Sequence, residues 1–271
     1  MRNLVTFLSL LVALCVLFNV PTARAQDHDD GHAHSHHHAL LHFSHPLVSE
    51  SPSPDTKVRF DIHVTNEPEG VDRTTLRVEA EYAFASWISL EIDAPYTFLS
   101  LPKTPSRDHL DNVGIGLKYA NFALAEHGLL LGGGVEIGLP TGSEEASIGS
   151  DTGLEIEPFL DFGFQRGRWE VVSFLEAGFS TVEEEEADAE AGWRLSVRYA
   201  LSPFMALFFE FDETHLFGGE EVGEDRITVA PGLKVSPLRG DRLRLGASLR
   251  LPVTSAQEFD AQVLFSLFYH I

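Results

Sequence analysis

Histidines crowd one short stretch of this chain. Between Asp27 and His45 the sequence reads D-H-D-D-G-H-A-H-S-H-H-H-A-L-L-H-F-S-H. It offers His28, His32, His34, His36, His37, His38, His42 and His45, with Asp27, Asp29 and Asp30 beside them. Neutral imidazoles suit zinc, copper, nickel and cobalt, and a short His-rich tract is a metal-binding composition. The spacing is too loose for a closed structural site with fixed ligands. Capture of divalent transition metal is therefore the expectation, with adventitious binding as its rival. Nothing in the chain resembles a Gly-rich phosphate loop, a nucleophile motif or a pair of catalytic acids. His63 and His270 lack a serine two residues away, so a serine–histidine pair on one strand face is missing as well. No enzyme is expected.

A second set of reactive side chains recurs at every other position. Its acids are Glu79, Glu81, Glu91, Asp93, Glu136, Glu155, Glu157 and Asp161; its bases are Lys118, Arg194, Arg198, Arg242, Arg244 and Arg250. Apolar residues fill the intervening positions. In D-R-L-R-L-G-A-S-L-R-L-P-V, starting at Asp241, Leu243, Leu245, Leu249 and Leu251 share one parity and Arg242, Arg244 and Arg250 the other. A period of two is an extended strand with two unlike faces.

The same pattern predicts about twelve strands: 58–64, 76–84, 88–98, 113–119, 129–139, 154–164, 169–179, 193–201, 204–211, 227–235, 241–253 and 259–269. The facing of 204–211 is open, because both of its parities are apolar. Connections alternate between tight, as at Ala85-Ser86 and Ser202-Pro203, and longer, polar and mostly acidic, as in 65–73, 100–110, 141–151, 181–190 and 212–225. Outer-membrane barrels alternate in this way, with short periplasmic turns and longer outer loops. Phe84 and Trp87, Phe164 and Trp169, and Tyr199 and Phe204 flank tight turns, where an interfacial aromatic girdle belongs. The expected fold is all-β, a transmembrane antiparallel up-and-down β-barrel with leucines towards lipid and charges towards the lumen. A soluble sandwich is the alternative.

The N-terminus carries export information. Arg2, the apolar run Leu8–Val20 and Ala23-Arg24-Ala25 form a signal peptide over 1–25, with the mature chain starting at Gln26. Cys15 is the only cysteine and leaves with that peptide, so disulfides are excluded. The formal charge is −22, and −24 once Arg2 and Arg24 are removed. Nucleic acid is thereby excluded as an expected partner, and cations are favoured near the surface. Residues 26–56, the histidine tract plus a Ser/Pro linker, are expected to lie outside the folded domain as a disordered periplasmic extension, with the barrel over 57–271.

From Asn112 the chain runs N-V-G-I-G-L-K-Y, then L-G-G-G-V-E-I-G-L-P-T-G-S, then D-T-G-L-E-I-E-P-F-L-D-F-G. These motifs, covering roughly the middle third, resemble the outer-membrane barrel family named for the meta-pathway of phenol degradation. The resemblance implies an outer-membrane transporter. The final residue, Ile271, departs from the terminal aromatic that barrel assembly machinery recognises.

The resulting expectation is an outer-membrane channel for small solutes, hydrophobic or cationic, with both termini periplasmic and lipid, assembly machinery and a solute or metal ion as partners. No cofactor is required, though Zn, Cu, Ni or Co suits the tract. Phe159, Phe174 and Phe208 share the inward parity and form a candidate apolar track, with plain space filling as the competing role. The alternative function is a non-transporting barrel that stores metal or serves a structural role.

Overall fold

The computed structural model describes residues 41–181, 189–217, 223–237, 242–256 and 258–271, and Leu41–Ile271 forms one compact unit. Its strands are β1 (Lys57–Glu67), β2 (Val71–Ala85), β3 (Ile88–Ser100), β4 (Arg107–Leu110), β5 (Val113–Asn121), β6 (Leu129–Leu139), β7 (Glu155–Arg166), β8 (Trp169–Ser180), β9 (Ala189–Ser202), β10 (Met205–Leu216), β11 (Asp225–Val235), β12 (Leu243–Pro252) and β13 (Ala261–His270). All pairings are antiparallel, and β1 joins both β2 and β13, so the sheet closes on itself. Twelve strands make the barrel. β4 is a short flap on the far end of β3.

Closure and facing have one physical cause. A barrel in hydrocarbon must satisfy every backbone group internally and turn its apolar side chains outwards. Leu160 is 66% exposed and Phe84 62%, whereas Lys57, Glu79 and Glu81 are 0% exposed. That inversion of the usual burial rule separates a membrane barrel from a soluble sandwich. Trp87 meets Tyr119, and Trp169 meets Tyr199, at the end of the barrel that carries the tight turns. Trp193 meets Phe211 towards the opposite, loop end. The open question over 204–211 is answered: Leu207 and Phe209 face out, while Ala206, Phe208 and Glu210 are buried inside.

Strand facing predicts a depth-dependent cost. Leu249, in the middle of β12, faces outwards, whereas Leu245 lies near the turn end. Leu249→Arg is expected to destabilise by about 2–4 kcal/mol and Leu245→Arg by about 0–1 kcal/mol. Denaturant titration in lipid vesicles reads both; equal costs would refute the assigned depth.

Three expectations need correcting. The first loop-end connection is a short turn, Pro68–Gly70, because β1 and β2 continue through Thr65 and Arg73. Gly70 supplies positive φ there, and Glu69 adopts it too. The loop over 100–110 contains β4. The largest correction concerns residues 41–56, which do not lie outside the domain. They occupy the barrel interior, with Phe43, Leu47, Ser51 and Ser53 buried.

Candidate functional site

The interior is lined by the polar parity, and its charges are grouped. On the β1–β3 side, Lys57 Nζ donates to Glu79 at 2.5 Å and Glu81 at 2.6 Å, with Glu91 3.7 Å away. Arg59 pairs with Asp61 at 2.8 Å and lies 3.7 Å from Glu79. Lys118 reaches Glu81 and Glu91, and Arg77 pairs with Asp93. On the opposite side, Arg194 pairs with Glu176, Arg198 with Glu170 at 2.7 Å, and Arg250 with Asp212. The networks join neighbouring strands and, through Arg250–Asp212 and Lys118–Glu81, strands two apart, which fixes the wall electrostatically where water is scarce.

Residues 41–56 enter between these networks and double back. His42 and Asp55, thirteen positions apart, meet at 3.2 Å at the turn end. Two apolar anchors hold the segment. Phe43 packs against Ala120, Leu130 and Val172, and Leu47 against Leu264 and Phe268. Glycines make the room for both. A Cβ on Gly163 would lie 2.7 Å from the Phe43 ring, and one on Gly246 2.3 Å from a Leu47 methyl. Pro46, Pro52 and Pro54 reduce the freedom the segment must lose on docking.

The wall then grips the segment by its backbone. Glu210 accepts from the N–H groups of Leu47 and Val48 at 3.1 Å and of Ser49 at 3.3 Å. Glu170 accepts from Ser44 N–H at 3.0 Å. Arg59 donates to the Leu47 carbonyl at 2.6 Å, and Lys234 donates to that of His45. Such charge-assisted bonds are about twice as strong as neutral ones and satisfy backbone that no ladder partner reaches. From the segment, Glu50 adds a contact to Lys118 at 3.4 Å.

At the mouth, His42, His45 and His270 converge on the Asp55 carboxylate. Burial drives the His45 imidazole well below its usual range, helped by the Lys57 charge. Burial alone would raise the Asp55 carboxyl, but hydrogen bonds from His270, His42 and His45 outweigh it and hold the group well below the usual carboxylate range.

The residues singled out from sequence fall as follows. His28, His32, His34, His36, His37 and His38 lie outside the described residues. Glu79, Glu81, Glu91, Asp93, Lys118 and Asp161 are buried on the inner face; Glu136, Glu157, Arg194, Arg198, Arg244 and Arg250 are half-buried, and Glu155 and Arg242 exposed. Phe159 stacks on Phe174 at 5.1 Å, and its ring fills the space over Gly134. Phe208 is elsewhere, 5.1 Å from the Lys234 ammonium. The three phenylalanines therefore form no continuous track. Lys57, Glu170, Glu210, Phe43, Leu47 and Asp55 were not foreseen as site residues. Parity puts Lys57, Glu170 and Glu210 inside, but nothing local says that a segment will meet them.

No family model matches the chain, and no curated protein is similar to it at significance. Solved structures are. The crystal structure of an outer membrane channel from Pseudomonas putida F1 superposes with a TM-score of 0.63 at 13% identity, over 80% of this chain and 96% of that one. The NanC porin gives 0.57 at 7% identity over 80% and 98%, and the KdgM porin 0.54 at 10% over 79% and 99%. The fold is that of outer-membrane barrels. At these identities the likeness speaks for the architecture and not for a substrate.

One substitution tests the anchoring of the segment. A valine at position 163 needs the volume that the Phe43 ring occupies. Overpacking of this kind costs about 1–3 kcal/mol, so Gly163→Val is expected to speed chymotrypsin cleavage at Phe43 in the folded protein by roughly tenfold or more. An unchanged rate would mean that Phe43 does not hold the segment.

Proposed function

We propose that this protein is an outer-membrane channel for small solutes, closed at rest by its own residues 41–56. The observation that carries the reading is the segment inside the lumen, held by side chains of the wall rather than by a sheet ladder. A permanent filling would be built from inward-facing strand residues, whereas this one enters and leaves at a single end. The fold shared with solved channels and porins supports the reading, as does the signal peptide read over 1–25. In this reading the tight turns and both termini lie in the periplasm, and the longer loops face outwards.

The wall also bears on the kind of solute. Pro158 in β7 has no N–H, and the β7–β8 ladder omits the pairs across Glu157 and Pro158. An open groove of about 820 Å³ lies there, lined by outward residues such as Tyr119, Leu131 and Leu160 and by the inward Phe159 and Glu176. A mostly apolar groove at a weak seam favours a small hydrophobic solute over an ion.

Planar-bilayer recording tests the function. Rare openings for the mature chain and frequent ones after deletion of residues 41–53 are expected. Silence from both proteins would refute the channel and leave the alternative, a closed barrel braced by its charge networks.

A further inference from the structure

Three imidazoles converge on one carboxylate oxygen at the turn end of the lumen. His42 Nε2 and His45 Nε2 each lie 3.2 Å from Asp55 Oδ2, and His270 Nδ1 lies 2.6 Å from the same atom. The ring centroids are 5.6–6.4 Å apart, so the rings surround the oxygen without stacking on each other. Three imidazoles and a carboxylate thus gather metal-type donors at one point.

The spacing suits a metal ion. Tetrahedral zinc holds nitrogen and oxygen at about 2.0–2.2 Å, which places neighbouring donors about 3.3 Å apart. The donor atoms of His42, His45 and Asp55 already lie within 4.8 Å of one another, and His270 adjoins that group through Asp55. Three imidazoles and one carboxylate are a donor set for late divalent transition metals, not for calcium or magnesium, which take oxygen. A second independent observation is that His45 Nδ1 and His270 Nε2 are buried without a hydrogen-bond partner. Among the described residues nothing on the far side of either ring fixes its tautomer, so the inward nitrogen is free to be the unprotonated one. The neighbouring acidic group Glu50, Glu79 and Glu91 is different in kind, because Lys57, Lys118 and Arg59 already supply its cations.

We propose that His42, His45, Asp55 and His270 bind one divalent transition metal ion of the zinc type, and that the ion clasps residues 41–56 inside the barrel. The connectivity gives the clasp its meaning. His42 and His45 stand at the entry of the segment and Asp55 at its exit, while His270 belongs to β13, which pairs with β1 through Lys57. One ion would tie both ends of the segment to the wall. The clasp rests on the channel reading above only in its consequence for conduction; metal binding itself does not.

The test uses the mature chain in detergent with His28, His32, His34, His36, His37 and His38 all changed to Asn, which removes background binding by the tract. Calorimetry with zinc chloride is expected to give one ion per chain. His42→Ala, Asp55→Asn and His270→Ala should each weaken binding by roughly tenfold or more. Absence of stoichiometric binding, or affinity indifferent to both His42→Ala and His270→Ala, would overturn the site. The clasp is read separately. The mature chain has no cysteine, and Ser51 is fully buried, so Ser51→Cys reports release of the segment by its rate of maleimide labelling. Zinc is expected to slow that labelling, and to lose this effect when His270→Ala is added. Binding without slowed labelling would leave a metal site and refute the clasp. Slowed labelling in a barrel that never conducts would uphold the clasp and refute the channel.

Discussion

Removal of residues 41–53 is expected to raise the open probability of the barrel by roughly tenfold or more, because every 1.4 kcal/mol taken from a closed state shifts such an equilibrium tenfold. The contacts that vanish far exceed that threshold. Phe43 and Leu47 lose buried positions that contribute about 1.5–3 kcal/mol each. The backbone bonds to Glu210, Glu170 and Arg59 contribute about 1.5–3 kcal/mol apiece, as bonds to charged groups do. Glu210→Gln is expected to fall between the full chain and the deletion, since a neutral amide still accepts from the Leu47 and Val48 amides but more weakly. Single-channel recording at one voltage ranks the three proteins. A deletion that conducts no better than the full chain would show that some other element closes the lumen.

Lys57→Met is expected to cost about 3–5 kcal/mol of barrel stability. Lys57 is wholly buried and lies between Glu79, Glu81 and Glu91. Its loss leaves those carboxylates to Lys118 and Arg59, which already serve Glu50 and Asp61. Methionine preserves the length of the side chain, so the loss reports charge and not volume. Adding Glu79→Gln to Lys57→Met should recover a substantial part, because the burial of an unpaired charge is the main penalty. Urea unfolding in lipid vesicles, followed by tryptophan emission, measures both. A cost below about 1 kcal/mol would mean that water reaches Lys57 and screens the network.

Much of the barrel is legible in the residues themselves. Alternation along β12 and β13, the tight turns read at Ala85-Ser86 and Ser202-Pro203, one residue before those observed at Ser86-Trp87 and Pro203-Phe204, and the aromatics beside them specify strand, facing and connectivity, because lipid imposes one rule on every strand. The strand ends were less legible. β1, β2 and β10 run further towards the loop end than their apolar alternation does, since polar residues continue a ladder wherever backbone partners persist. The facing of 204–211 stayed open in the sequence for a different reason. Both parities there are apolar, and only the pairing of Phe208 with Arg198 and Gly232 sends it inwards.

The segment 41–56 marks the boundary between the two kinds of information. Its Ser/Pro composition describes a chain without secondary structure, and that much is correct: the described segment contains no helix or strand. Composition cannot state where an irregular chain resides, because its partners, Glu170, Glu210, Lys234 and Gly163, lie more than a hundred residues away. The histidines show the same division. Sequence alone established that the chain is rich in metal ligands, strongly acidic and built as a lipid-facing barrel, since all three follow from residue type and local period. Only the tertiary structure brought His42, His45 and Asp55 together with His270 from the last strand, because barrel closure sets β13 beside β1 and so joins the two ends of the chain.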